Sequence, residues 1–185
     1  NLLDPLIQKI LETIPSEAIK QYLGEISEHI LGHLDDFKET QPAQPVLPFF
    51  QVAEKDAFLE YEVNVVVDNS GRSGGPVSVE NSPTHMNLFG TIERIVDRFG
   101  RLVTNFTRIK SGSMLKADGG YLIFNLDDAI TEPAVWKTLK RTLRGGRIEM
   151  DTYEPFAMFS TSGLKPEAIT VNTKIIVVGT MYVYQ

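Results

Sequence analysis

GSMLKADGGYLIFNLDDAI, residues Gly112–Ile130, is the stretch on which the reading of this chain turns. A small-residue approach ends in Gly119-Gly120. Four large apolar residues follow, Tyr121-Leu122-Ile123-Phe124, and the apolar character stops at Asn125. A run this short and this apolar fits a central parallel strand buried on both faces. In open α/β sheets, ligands gather where the carboxyl ends of such strands emerge. The polar end of the run, Asn125 to Asp128, is therefore the first place to look for chemistry. The competing reading is a buried strand that ends in an ordinary polar turn.

Downstream, Glu132–Arg144 reads as a helix opened by Pro133 and ended by Gly145-Gly146. Trp136, Leu139 and Leu143 are expected to face inward, with Lys137, Lys140, Arg141 and Arg144 on a basic side. RIEMDTY (147–153) reads as a short strand and 154–168 as a loop. TKIIVVGTMYVY (173–184) reads as another buried strand, passing through Gly179-Thr180. Strand, helix and strand in alternation imply crossover connections, hence an α/β domain with a mostly parallel sheet.

Upstream, EYEVNVVVDN (60–69) is β-branched and predicts a strand, SGRSGG (70–75) a hairpin-like turn, and PVSVEN (76–81) a second strand. The glycines lack a following GK[ST], which argues against a phosphate loop. Residues 83–100 predict a loop entering a helix around Leu88–Arg98, buried through Leu88, Ile92, Ile95 and Val96. RLVTNFTRI (101–109) reads as a hairpin arm or an extended loop.

Residues 1–37 predict an antiparallel helical hairpin. Leu3, Leu6, Ile7, Ile10, Leu11 and Ile14 form one apolar stripe, Pro15 breaks it, and Ser16 stands where a cap is wanted. His29 and His33 sit four apart, a metal-ligand spacing. No acidic third ligand accompanies them, and a solvated helix flank is the better account. Residues 38–58 are a proline-containing linker, either a hinge or a long loop, and 59–185 form the main domain.

The net charge of −6 and pI near 5.1 argue against a nucleic-acid surface, which needs concentrated Lys and Arg. No apolar run approaches the roughly 18 residues that span a bilayer, and no secretory leader is read at the start. The absence of cysteine excludes a disulfide framework and is compatible with a cytoplasmic protein. The chain starts at Asn1 and stops just past a strand-like run, as expected of a piece of a longer protein.

Five segments in order carry a resemblance: VNVVVDN (63–69), PVSVENSPTHMNLFG (76–90), SGSMLKADGGYLIF (111–124), LKRTL (139–143) and KIIVVG (174–179). Together they resemble the second half of an AAA+ ATPase core, and more narrowly that of the Lon-like ATP-dependent proteases, the protease La homologues. The likeness covers Leu59 to Tyr184. Residues 1–58 would then end the helical insertion that precedes this block.

The resemblance implies a P-loop NTPase-like sheet, ATP with Mg²⁺ in the parent protein, a hexameric homo-oligomeric ring, and polypeptide substrates fed to a Ser–Lys protease domain. It makes Tyr121–Phe124 the Walker B strand. The usual Asp then falls at Asn125 and the usual catalytic Glu at Leu126, so Asn125, Asp127 and Asp128 are the nucleotide-site candidates there. Thr180 falls at the sensor-1 tip. Phe99 and Phe106 are candidates for pore-loop aromatics, against core packing. Lys140, Arg141 and Arg144 are inter-subunit candidates, against a solvated helix face. No GxxxxGK[ST] occurs in the chain, and Ser111, Ser113 and Lys116 read as structural. The piece alone is therefore expected neither to hydrolyse ATP nor to cut peptides. The other reading is a nucleotide-independent scaffold built on the same fold.

Overall fold

A computed structural model describes residues 2–37, 58–96, 99–132, 134–150 and 164–180. It divides into two compact units, 1–62 and 63–185.

The first unit carries α1 (Leu3–Thr13) and α2 (Glu17–Gly32). Ser16 takes the extended backbone of an N-cap, and its carbonyl accepts the Lys20 N–H at 3.0 Å. Its side chain makes no capping bond. Neither helix has a fully buried residue. His29 is half-buried: Nδ1 lies 2.8 Å from the Tyr61 hydroxyl and Nε2 lies 3.5 Å from the Glu60 carboxylate. His29 is thus bonded on a helix flank that stays part-exposed, and His33 beside it is exposed. Phe58 packs edge-on against Phe37, and Leu59–Tyr61 forms a 3₁₀ turn. Leu59–Tyr61 falls in the first of the two compact units, which ends at Glu62.

The second unit is organised on β6 (Tyr121–Asn125). It lies between β1 (Val77–Glu80) and β9 (Lys174–Val178), parallel to both. The register pairs Glu80 with Phe124, and Asn125 with Val178. Of the two strands expected to be inner, β6 is flanked on both sides, while β9 is an edge among the described residues.

Gly119-Gly120 makes this arrangement possible. Gly119 adopts φ +76°, where a side chain is strained, and a Cβ on Gly120 would sit 1.9 Å from the Pro76 carbonyl oxygen. The strand can therefore pass close to Pro76, whose carbonyl accepts the Tyr121 N–H at 2.8 Å.

Around the sheet lie α3 (His85–Phe89), β2 (Thr91–Ile92), β3 (Ile95–Val96), β4 (Leu102–Val103), β5 (Ile109–Lys110) and α4 (Ser113–Lys116). After β6 come α5 (Leu126–Thr131), α6 (Val135–Gly145), β7 (Arg147–Ile148) and β8 (Ile169–Thr170). The ladders β2–β5, β3–β4 and β7–β8 are antiparallel pairs. One core cluster joins Leu88, Phe89, Met114, Leu122, Phe124, Ala129, Val135 and Leu139.

Four expectations are corrected. Residues 63–68 form no ladder. Side chains hold the segment instead: Asn64 Nδ2 donates to the carbonyls of Phe106 and Ile109, and Ser111 Oγ donates to that of Val66. β1 consequently pairs with β6, not back onto 60–69 as a hairpin. The helix expected at Leu88–Arg98 is only His85–Phe89, because Gly90 at φ +95° ends it and the chain turns into the β2 and β3 ladders. The polar turn expected after β6 is the helix α5, and the helix expected over Glu132–Arg144 is α6, which begins at Val135. On α6 the buried stripe is Val135, Leu139 and Thr142, a spacing of four and three. Trp136 and Leu143, expected inside, are 43 and 52% exposed.

Of the expected segment 147–153, Arg147–Ile148 is strand, and 151–163 lie outside the described residues. The same holds for 181–185 at the end of the final strand, and for 38–57 of the linker. No helix among the described residues is long and apolar enough to cross a membrane.

Candidate functional site

The carboxyl ends of β1, β6 and β9 form one edge, carrying Glu80, Asn125 and the Gly179-Thr180 step. Asn125 closes β6 and at the same time caps α5. Its side-chain oxygen accepts the Asp127 N–H at 2.8 Å, which satisfies one of the open donors of the helix start. Asp127, in the first turn of α5, reaches across to β9. Oδ2 accepts the Thr180 N–H at 3.1 Å, and Oδ1 accepts the Thr180 hydroxyl at 3.3 Å. Asn125, Asp127 and Thr180 are thus joined in one clasp.

Leu126 is 6% exposed, turned into the protein. Asp128 is exposed on α5 and takes no part in the clasp. The sequence marks Asp127 and Thr180 as separate candidates; only the parallel pairing of β6 with β9 shows that they touch.

Glu80 escaped the sequence reading. It ends β1 on the core side of the sheet, where its carboxylate accepts from the Ser113 hydroxyl and from the Ser82 N–H. The one available signal was an acidic residue closing the apolar alternation of PVSVE, which has force only once the strand is known to be parallel. Ser113 is therefore tied to Glu80, Ser111 to Val66, and both are structural bonds. Beside Glu80 a groove of about 680 Å³ runs along Met86, Ile92, Arg94, Lys110 and Lys116. None of Asn125, Asp127, Asp128 and Thr180 lines it.

The two aromatic candidates are separated. Phe99 lies in the turn between β3 and β4, 66% exposed, with the Arg101 guanidinium 5.2 Å from its ring centre. Phe106 is half-buried in a 3₁₀ turn, and Asn64 Nδ2 donates to its carbonyl at 2.8 Å. The basic candidates lie exposed on α6: Lys140 over Trp136 at 5.7 Å, Arg141 at 3.5 Å from Glu149, and Arg144 in the last turn. His85 Nε2 lies 3.3 Å from the Thr138 hydroxyl. Away from this edge, Asp68 is held below the usual carboxylate range, first by the Ser70 hydroxyl and then by the Ser70 N–H.

A Mg²⁺ ion wants carboxylate oxygens free to face it. The donor set here fits poorly. Asn125 brings no charge and its oxygen accepts a backbone N–H, each Asp127 oxygen accepts one bond from Thr180, and Leu126 offers no oxygen where an acid is usual. Among the described residues, no group of three or more His, Asp or Glu could hold a metal ion.

Comparison with known proteins adds the family. No curated protein matches this chain. Among solved structures, a crystal structure of NtrX from Brucella abortus is similar at 20% identity with a TM-score of 0.34. That match covers 57% of this chain and 20% of the other, and a likeness so weak carries no argument. Residues 73–185 match the model of the LonB-like AAA domain. That match spans more than half of the sequence and includes β1, β6, β9 and the whole clasp, so the chain belongs to the LonB-like AAA domain family.

Proposed function

We propose that this chain is the carboxyl-side half of the ATPase module of a Lon-like ATP-dependent serine protease. In this reading the parent protein assembles as a hexameric ring and couples nucleotide state to the feeding of unfolded polypeptide into a proteolytic chamber. AAA domains generally bind ATP with Mg²⁺, and ligands of open parallel sheets sit at the carboxyl edge. The observation that carries the proposal is the parallel pairing of β6 with β9, which sets Asn125 and Thr180 on one edge within the family domain.

Phe99, exposed between the strands of the β3–β4 arm, is the better placed aromatic for gripping polypeptide. The half-buried Phe106 is assigned to packing. The α6 cations Lys140, Arg141 and Arg144 are assigned to a neighbouring subunit in the ring. In this reading α1 and α2 form an antiparallel hairpin ending the helical insertion.

A second reading is a nucleotide-independent scaffold for ring assembly and substrate gating. The buried Leu126 favours it, since an aliphatic side chain cannot activate water. Calorimetric titration of ATP into the full-length protein separates the two. Saturable heat supports the ATPase module, and its absence leaves the scaffold.

A further inference from the structure

Charge is divided unevenly along the chain. Residues 1–62 hold twelve Asp and Glu against four Lys and Arg, a net charge of −8, whereas 63–185 hold twelve against fourteen, a net +2. Four of those fourteen cations stand exposed on α6: Lys137, Lys140, Arg141 and Arg144, with Arg141 turned to Glu149. On the same helix Trp136, Lys140 and Leu143 recur at steps of four and three and so share one stripe. Trp136 is 43% and Leu143 52% exposed. An exposed tryptophan beside cations has the composition of a binding hot spot, and this is the single tryptophan of the chain.

On α2, Gly24, Glu28 and Leu31 recur at the same steps, and all three are exposed. A Cβ added to Gly24 would meet nothing within 4 Å, so nothing among the described residues requires a glycine there, poor helix former though it is. The two stripes are complementary position by position: a bulky ring against a notch, a cation against an anion, leucine against leucine.

We infer that α6 of one copy docks parallel to α2 of a second copy, with Trp136 over Gly24, Lys140 at Glu28 and Leu143 against Leu31. The inference rests on the ring reading above and names the surface that the α6 cations meet. Two different faces joined between copies make a head-to-tail contact, the kind that closes into a ring. The opposite charges of the two units steer the approach, and Trp136 supplies the apolar anchor.

The test is the mass of the full-length protein by light scattering along a dilution series, with melting temperatures beside it. It compares the native protein with Gly24→Gln, Lys140→Glu, and Lys140→Glu combined with Glu28→Lys. Gln is the better helix former, so Gly24→Gln is expected to raise the melting temperature of the dilute, dissociated protein. By filling the notch it also raises the dissociation midpoint about tenfold or more. Lys140→Glu sets like charges together and raises the midpoint by about as much, and the combined variant returns it to within about threefold of the native value. A midpoint that neither Gly24→Gln nor Lys140→Glu moves overturns the inference and leaves the ring reading standing. So does a combined variant no better than Lys140→Glu. Loss and restoration seen in the melting temperature at unchanged mass put the contact within one chain, which overturns the inference as well. A native protein that stays monomeric throughout overturns the ring reading itself.

Discussion

On one face of the β1-β6-β9 sheet, Leu122 and Phe124 keep 0 and 2% of their surface open, in one cluster with residues of α3, α4, α5 and α6. On the other face, Val79, Tyr121 and Ile176 keep 61, 41 and 44%. The side chains are of the same kind; the surroundings differ. The strand order explains why. The chain moves from β1 to β6 to β9 in one direction across the sheet. Right-handed crossovers running the same way put their helices on the same side. A parallel sheet is apolar on both faces because both are normally covered, and here the described residues supply the cover for one.

The largest effect that sharpens this contrast is on stability. Phe124→Ala is expected to cost about 3–5 kcal/mol in urea denaturation, by transfer and cavity together. Ile176→Ala on the open face is expected to cost under about 1 kcal/mol. A loss at Ile176 as large as at Phe124 would break the comparison by showing that the open face is covered in solution.

Smaller effects belong to the carboxyl edge, where both faces meet. Asp127→Ala leaves the Thr180 N–H without its partner, and at this part-exposed site should cost about 1 kcal/mol. Faster amide exchange at Thr180 is the local signature. Asn125→Ala removes the cap of α5 at a cost of about 1 kcal/mol, and Asn125→Asp restores it to within about 0.5 kcal/mol, read from thermal melts.

Smaller again is Phe99→Ala, expected within about 0.5 kcal/mol of the native stability because the ring is exposed. If it grips polypeptide, binding of an unfolded fluorescent protein falls while the melting temperature stays. At the far end is Asp68. Ser70 holds its folded pKa below the unfolded value. The resulting stabilisation is present above the unfolded pKa and disappears as pH falls through the folded one. Ser70→Ala should flatten that acid limb slightly in a pH series of melts.

Much of the sheet was legible in particular residues. The apolar stop at Asn125 and the Gly179-Thr180 step mark strand ends, because a buried backbone run tolerates polar side chains only where it emerges. The glycine pair before Tyr121 marks a close backbone approach. Other readings failed for equally physical reasons. The β-branched run 60–69 has strand propensity, yet Asn64 and Ser111 supply side-chain bonds that replace a ladder. Residues 88–98 have a helical spacing of apolar positions, but Gly90 and the short ladders beyond it override that local pattern. On α6, Leu139 belongs both to the apolar spacing of Trp136 and Leu143 and to the buried stripe of Val135 and Thr142, so spacing alone does not choose between them.

The amino-acid sequence alone determined the kind of protein this is: motifs in order, apolar runs with polar tips, and glycines where the chain must pass close to itself. Those are properties of single segments, set by side-chain size, polarity and backbone freedom. Tertiary structure alone decided which face of the sheet is covered, that Asp127 bonds to Thr180 across 53 residues, and which way the Asn125 amide points. Each depends on two segments meeting in one register, and the direction of a hydrogen bond is set only when both its ends are in place.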